Sequence, residues 1–296
     1  MRQKTNKLLL LFSDQLFPLE EIHKTGCSAV LFYDLIGCRP KFKFHKLRIL
    51  ASLIASKEYC EQLVDVGYNV HYENFENGKE GSPLSKLSSL IALNKFSEVS
   101  YFEIDNIELR CHLDGIRKRS PVSWREFASP MFLCTRESFS QYLADSNGLR
   151  MTDFYRFMRI KNNILIDEDQ RPVGGKWSFD HENRKRLPRG FELPIQPIGI
   201  CDEKYSSLKK RVMKDFKENP GEIDNLWIPT NRIDAKVWLR TFLEHKLNSF
   251  GCYEDAISRN HNFIFHSALS PLLNLGLITP RDVIEMTMEY HDRHPV

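Results

Sequence analysis

The chain has 296 residues, of which 42% are hydrophobic and 27% are charged, and its formal net charge is +3 at pH 7. This composition is ordinary for a protein with a sizeable buried core, and the length suggests about two domains. A net charge this small gives no general reason to expect nucleic acid as a partner. No apolar run approaches the ~18 residues of a membrane span, so we expect no membrane partner.

The chain begins with MRQKTNKLLLLF, in which a short apolar run follows a basic stretch. A secretory signal needs a longer apolar run, and this one ends at Ser-Asp-Gln, so the segment predicts a first buried strand. The cysteines are odd in number and scattered, with no Cys-x-x-Cys pair. They indicate the reduced thiols of a cytoplasmic protein, with neither a disulfide framework nor a metal site.

Short apolar runs alternate with amphipathic stretches through residues 1–125. The amphipathic stretches at 44–66, 82–93 and 105–118 have helical spacing. Strand–helix alternation is typical of a doubly wound, Rossmann-like parallel sheet, so we predict an α/β domain here. The predicted strands, five in all, are KLLLLF (7–12), AVLFY (29–33), NVHY (69–72), VSYFE (99–103) and VSW (122–124).

Polar residues follow the first predicted strand, at the edge where parallel sheets bind ligands. This stretch is Ser13-Asp14-Gln15-Leu16, and no G-x-G-x-x-G motif follows it. A dinucleotide site of the usual glycine-rich kind is therefore excluded. Any ligand bound at this edge has to be recognised by side chains such as Asp14 and Gln15.

Residues 126–200 differ in composition from what precedes them. Their prolines, the glycine pair in GGKW and their charge runs predict a long interdomain connector with limited helix, apart from 152–162. Residues 150–190 contain ten Lys/Arg against six Asp/Glu. Such a segment is either a solvated loop or a surface that faces phosphate, and both readings stay open. From 201 to 296 the pattern is helical.

The phrase FHSALSPLLNLGL, at 265–277, predicts a short helix with Ser270 as N-cap, Pro271 at the first helical position and Gly276 just past the last turn. A helix start attracts phosphate, and the hydroxyl of Ser267 adds a donor beside it. A plain N-cap is the alternative. A second helix start, at Thr279-Pro280 with Asp282 three residues after the threonine, predicts a variant of the capping box.

Three stretches share one combined pattern: FSDQLFPL (12–19), the segment 153–185 that contains RPVGGKWSFDHENRK, and FGCYEDAISRNHNF (250–263) with the phrase that follows it. Together they resemble the photolyase/cryptochrome family, above all its iron–sulfur bacterial branch of (6-4) photolyases and deoxyribodipyrimidine photolyase-related proteins. The resemblance implies an α/β domain, a connector and an all-α FAD-binding domain. It also implies light-dependent, flavin-mediated repair of (6-4) pyrimidine photoproducts, a lyase activity with damaged DNA as partner. A cryptochrome-like photoreceptor and an inactive truncated flavin-binding module are the alternatives.

Matched position by position, the resemblance implies that FAD lies near Tyr253 and the loop His266, Ser267, Ala268, Leu269 and Ser270. It implies a lumazine antenna at Ser13, Asp14, Gln15 and Leu16, with Asp34 after the second strand. The antenna match is partial, because Ser13 replaces the usual glycine and the stretch around Ile54–Cys60 copies the family pattern poorly. A purely structural role for these strand-end residues is the alternative.

In the family, a second helical half follows the phrase matched by HDRHPV near the end of this sequence. That half carries the catalytic histidine and the four cysteines of a [4Fe–4S] cluster, so the resemblance assigns no catalytic residue and no cluster ligand here. We therefore expect this chain alone to retain little or no flavin and to lack repair activity. A separate chain that supplies the catalytic half is one expected partner.

Overall fold

A computed structural model of the chain describes residues 6–35, 43–74, 84, 87–146, 148–194 and 203–295. Each of two compact units is built from several segments. The sheet unit consists of Met1–Met131, Pro197–Leu239 and Leu269–Ile284, and the helical unit of Phe132–Gln196, Arg240–Ala268 and Glu285–Val296. The domain limits predicted near residues 125 and 200 stay a prediction, because compactness alone does not define an independently folding domain.

The sheet unit contains a five-stranded parallel sheet in the order β3-β2-β1-β4-β5, which confirms the predicted α/β fold. The order reverses beside the central β1, as in doubly wound sheets. Leu8 to Leu11 in β1 are fully buried, because helices cover both faces and the strand is apolar throughout. The strands are β1 (Lys7–Phe12), β2 (Ala29–Asp34), β3 (Asn69–Asn74), β4 (Glu98–Phe102) and β5 (Ser123–Phe127).

Helices flank the sheet and also occur throughout the helical unit. They are α1 (Leu19–Lys24), α2 (Lys46–Asp65), α3 (Leu87–Asn94), α4 (Ile107–Arg117), α5 (Arg136–Asp145), α6 (Met151–Lys161), α7 (Ser206–Asp215), α8 (Arg232–His245), α9 (Leu247–Tyr253), α10 (Ser270–Leu275) and α11 (Pro280–Arg293). Short 3₁₀ helices cover Asp180–Glu182 and Glu203–Tyr205. Within the described part of the chain, no helix is long and apolar enough to cross a membrane.

Most predicted helices lie within two or three residues of the observed ones, but two predictions need correction. The segment predicted as a connector contains α5, which the sequence reading missed. Its start is capped by Thr135, whose side chain accepts a hydrogen bond from the Ser138 amide at 3.2 Å. The predicted start of α3 at Ser82-Pro83 lies outside the described residues.

The second correction concerns the start of α10. The helix begins at Ser270 itself, so Leu269 rather than Ser270 occupies the N-cap position. Leu269 already has near-helical backbone angles, and its carbonyl accepts from the amides of both Leu272 and Leu273 at 3.0 Å. The end of the helix is as predicted, with Gly276 in the left-handed region at φ +78°.

The capping box of α11 is confirmed. Asp282 Oδ2 accepts from the Thr279 amide at 2.8 Å, and Thr279 Oγ1 accepts from the Asp282 amide at 3.1 Å. Arg232 also donates to Asp282 at 2.7 Å. Partial burial acts to raise the pKa of Asp282, but the hydrogen bonds from Arg232 and Thr279 outweigh it and lower the pKa.

Candidate functional site

The residues predicted for the antenna lie together at the carboxyl edge of β1 and β2, but most of their polar groups are already bonded within the protein. Ser13 Oγ accepts from the Leu35 amide at 3.0 Å, and Gln15 Nε2 donates to the Glu103 carbonyl at 3.2 Å. Asp34 is buried and accepts from the Tyr72 hydroxyl at 3.1 Å. The Leu16 side chain is fully buried.

Two groups at this edge stand apart from the others. Gln15 Oε1 is buried without a hydrogen-bond partner among the described residues. Local burial raises the pKa of Asp14 to about 6, with a contribution from Asp105. Asp14 nevertheless keeps an exposed surface, so solvent screening works against this rise. Among the described residues, the Asp14 carboxylate and Gln15 Oε1 are therefore the polar groups at this edge that a ligand could contact. The lumazine site stays a prediction, and we derive no light-harvesting step from it.

In the helical unit, the residues predicted near FAD form a small aromatic and polar cluster. The Tyr253 ring packs against Phe265 and Phe191, with ring centroids 5.7 and 5.3 Å away. His266 is exposed, and its Nδ1 accepts from the Ala268 amide at 3.0 Å. Ser267 is half-buried and Ala268 is buried. The predicted residues Tyr253 and His266–Ala268 therefore lie together, and the half-buried Ser267 and the exposed His266 supply the polar groups of this loop.

Leu269 and Ser270 belong to the sheet unit, where Leu269 is buried and Ser270 is exposed. The helix they start has only six residues. Pro271 has no amide hydrogen, and the next two amides donate to Leu269, so the helix start itself offers few free donors. A phosphate at this loop would therefore depend on side-chain donors more than on the helix dipole.

Sequence reasoning missed one cation beneath this loop. Lys246 is only 8% exposed, its ammonium donates to the His266 carbonyl at 3.3 Å, and it lies 5.9 Å from the centre of the Phe263 ring. Burial lowers its pKa. No carboxylate lies within ion-pair distance of it among the described residues. A buried ammonium without an anion is costly, and a nearby phosphate would compensate it.

The charged segment 183–186 contacts the helix that carries Tyr253. The Lys185 amide donates to the Cys252 carbonyl at 3.1 Å, and Lys185 Nζ lies 3.4 Å from Cys252 Sγ. Arg184 pairs with Asp255 at 3.4 Å, and Arg186 is exposed. The cysteine thiol bond raises the pKa of Lys185, so its side chain remains a cation. Two motifs that lie about 70 residues apart in sequence thus meet in space and place exposed positive charge beside Tyr253.

Arg159 forms hydrogen bonds to several backbone carbonyls in the stretch 164–177, which precedes the segment 183–186. It is 7% exposed and donates to the carbonyls of Ile164, at 3.1 Å, and Trp177, at 3.2 Å, and to that of Leu165. Its guanidinium lies 5.1 Å from the Trp177 ring centre. The turn it holds includes Leu165, a non-glycine residue with φ +49°. Such a conformation persists only where the surroundings enforce it, as the Arg159 bonds do. Nothing in the sequence distinguished this arginine from its exposed neighbours.

Comparisons with known proteins identify the family. A family model described as "Deoxyribodipyrimidine photo-lyase-related protein" matches residues 9–227. The chain belongs to this family. A (6-4) photolyase of Agrobacterium fabrum is 28% identical over 293 residues, which are 97% of this chain and 57% of the relative. An uncharacterised protein of Acanthamoeba polyphaga mimivirus is 29% identical over 156 residues, or 49% of this chain and 74% of the relative.

A solved structure supports the fold of this photolyase-related chain. The crystal structure of a bacterial class III photolyase from Agrobacterium tumefaciens matches with a TM-score of 0.54 and 18% identity, and it covers 100% of this chain. The match takes up 55% of the solved chain, so the photolyase-related chain spans about half the length of the relatives that it matches over its full extent. At this identity the structural match concerns the fold alone.

Metal ligands do not cluster in the part of the photolyase-related chain that the structure describes. No group of three or more His, Cys, Asp or Glu side chains there is arranged to hold an ion. Cys27 and Cys60 are buried free thiols, Cys111 is exposed, and Cys134 and Cys252 are half-buried. Cys38 and Cys201 lie outside the described residues.

Proposed function

We propose that this chain takes part in light-dependent, flavin-mediated repair of (6-4) pyrimidine photoproducts, as part of a DNA photolyase. Its membership of the photolyase-related family, and its similarity to a (6-4) photolyase over 97% of its length, support the assignment. The structural observation that carries it is the meeting of the segment 183–186 with α9 in the helical unit. This contact joins exposed cations to the aromatic cluster of Tyr253.

FAD is the cofactor that the family implies, and its phosphate end fits the residues present. Lys246 supplies a buried positive charge below the 266–268 loop, and Ser267 and His266 supply polar groups beside it. Charge-assisted bonds of this kind are the usual means of holding phosphate. Leu269 and Ser270 stay sequence predictions for the same contact. When bound, reduced FAD supplies on illumination the electron that the repair of a pyrimidine lesion requires.

Substitution of Lys246 should affect FAD binding and the free energy of unfolding differently. We expect Lys246→Met to keep or increase the free energy of unfolding, because it removes a buried uncompensated charge. We expect the same change to weaken FAD binding about tenfold, because one charge-assisted bond to phosphate is lost. Urea unfolding and equilibrium dialysis against FAD measure the two effects.

Competitors show which end of FAD the chain recognises. ADP shares the pyrophosphate and should displace FAD, whereas riboflavin should displace it poorly. Ser267→Ala should weaken FAD binding, and Ser207→Ala, at an exposed position on α7, is the matched control. Equal displacement by riboflavin and ADP, with no effect of Ser267→Ala, would contradict a phosphate role for this loop.

Damaged DNA is the proposed partner of the exposed cations. Binding to a duplex with one (6-4) photoproduct should weaken steeply as salt rises, since cations that neutralise phosphates release counterions. Lys185→Glu combined with Arg186→Glu should weaken it further and reduce the salt slope. The control is Lys209→Glu combined with Lys210→Glu, which changes two cations of the sheet unit. Salt-insensitive binding, or equal effects of the two double variants, would count against the assignment.

A further inference from the structure

A lysine and a cysteine of the helical unit lie in direct contact, although they are 67 residues apart in sequence. Lys185 Nζ lies 3.4 Å from Cys252 Sγ, and the Lys185 amide donates to the Cys252 carbonyl at 3.1 Å. A second backbone bond joins the same two segments, because the Asp255 amide donates to the Asn183 carbonyl at 3.4 Å. The backbone therefore holds the two side chains close together, and their contact does not depend on a flexible lysine side chain alone.

The thiol is the chief described partner of this lysine. Among the described residues, no carboxylate lies within ion-pair distance of Lys185. The hydrogen bond to Cys252 is the largest cause of the raised pKa of Lys185, and Glu182 and Tyr253 contribute less. The ammonium of Lys185 thus has the sulfur of Cys252 as its main partner.

Both groups of the pair are accessible to small solutes. Cys252 is a free, half-buried thiol, and Lys185 is exposed. Cysteines that react with peroxides usually lie beside a cation and are partly accessible. The separation of 3.4 Å also lies within the range of about 3–3.5 Å at which two atoms are well placed to form a bond. The pair therefore meets the geometric requirements for a covalent crosslink.

We propose that Cys252 and Lys185 form a sulfenamide crosslink when the chain meets hydrogen peroxide. In the first step, peroxide oxidises the thiol to a sulfenic acid and is itself reduced to water. The sulfenic acid no longer offers the acceptor that raises the pKa of Lys185, so the ammonium releases a proton to solvent more readily. In the second step, the amine nitrogen attacks the sulfur, the N–S bond forms, and the S–O bond breaks with release of a second water.

The crosslink changes the charge and the mobility of the segment 183–186. It replaces the exposed ammonium of Lys185 with a neutral N–S bond, and it joins the segment covalently to α9. One of the cations beside Tyr253 is lost, so binding of DNA should weaken. This last consequence rests on the function proposed above, whereas the formation of the crosslink does not.

Mass spectrometry tests the crosslink directly. The purified full chain is treated with hydrogen peroxide and digested without reductant. The peptides that contain Cys252 and Lys185 should appear joined, with a combined mass lower by two hydrogen atoms. Dithiothreitol should separate them again, because a thiol reduces the N–S bond.

Matched variants show whether the lysine amine is the reacting group. Lys185→Arg keeps the positive charge but replaces the amine with a guanidinium, so the crosslink should be lost, as it should be in Cys252→Ser. Lys176→Arg, at another exposed lysine of the helical unit, and Cys134→Ser, at another half-buried thiol, should keep it. Failure of the folded wild-type chain to form the crosslink would overturn the proposal, whether Cys252 stays a thiol, stops at a sulfenic acid or forms a disulfide. A crosslink that persists in Lys185→Arg would overturn it too.

Binding to a duplex with one (6-4) photoproduct separates the crosslink from the proposed function. Peroxide should weaken binding of the wild-type chain and lower its salt slope by about one, because one cation is lost, and dithiothreitol should reverse both effects. Peroxide should not change the binding of Cys252→Ser. A crosslink without any effect on DNA binding would confirm the modification site and contradict the DNA contact assigned to Lys185.

Discussion

Gly276 is a position where a single added methyl group should destabilise the sheet unit. Its φ is +78°, and an added Cβ would lie 2.9 Å from a Phe17 ring carbon and 3.0 Å from the Leu16 amide nitrogen. That amide donates to the Leu275 carbonyl at 2.9 Å, so it cannot move away without loss of the bond. Gly276→Ala therefore combines backbone strain with a steric conflict.

The two costs can be separated by matched variants in the same unit. The left-handed conformation costs a non-glycine residue about 1–2 kcal/mol, and overpacking a tight site adds about 1–3 kcal/mol. We expect Gly276→Ala to lower the free energy of unfolding by about 2–5 kcal/mol. Gly26, at φ +66°, has no atom within 4 Å of an added Cβ, so Gly26→Ala should show only the smaller backbone cost.

Gly115→Ala in α4 is the control without either cost. Its Cβ would meet only the Arg119 side chain, at 3.9 Å, and alanine favours a helix over glycine by about 0.5–1 kcal/mol. Urea unfolding followed by circular dichroism should rank the variants with Gly115→Ala most stable and Gly276→Ala least. If Gly276→Ala is no less stable than Gly26→Ala, the packing of α10 against the β1 loop is not as described.

Two further changes test the helical unit and the cap of α11. Arg159→Met should make the segment 162–177 sensitive to limited proteolysis and cost about 2–4 kcal/mol, because three partly buried carbonyls lose their donor. Arg156→Met, 5.6 Å from the same Trp177 ring but exposed, should do neither. Asp282→Asn should destabilise the chain at neutral pH. Because the native pKa of Asp282 is lowered, this stabilisation is present above its ordinary value near 4 and is lost as pH falls through the lower native pKa. The gap between wild type and Asp282→Asn in urea unfolding should therefore close in acid, and a gap that persists at pH 2 would show another cause.

Local features of the fold were predictable from the sequence because their physical causes are local. The buried run of β1 and the capping box of α11 each depend on neighbouring residues, and the structure confirms both. The ten-residue α5 was missed because its start is marked only by Thr135, among residues that suggested irregular structure. The N-cap of α10 was predicted one residue too late, at Ser270, for a similar reason. Leu269 adopts near-helical backbone angles, which a leucine in this position does not indicate.

Contacts between distant segments could not be read from the sequence in the same way. The sequence showed the charges of the segment 183–186 and the tyrosine of α9, but not that Arg184 would meet Asp255. Nor did it show that Lys246 is buried, since lysine is usually exposed. The sequence also did not show that Ser13 and Gln15 form hydrogen bonds within the protein, and the role of the antenna residues as a ligand site stays a prediction.

Binding of FAD to the purified chain and to its Lys246→Met variant tests the central claim most directly. Although we expect this chain alone to retain little or no flavin through purification, equilibrium dialysis against added FAD should give weak but saturable binding at one FAD per chain, displaced by ADP and about tenfold weaker in the variant. The variant should be at least as stable as the wild type in urea. Absence of saturable FAD binding, or equal affinity of a folded Lys246→Met variant, would contradict the flavin role assigned to this chain.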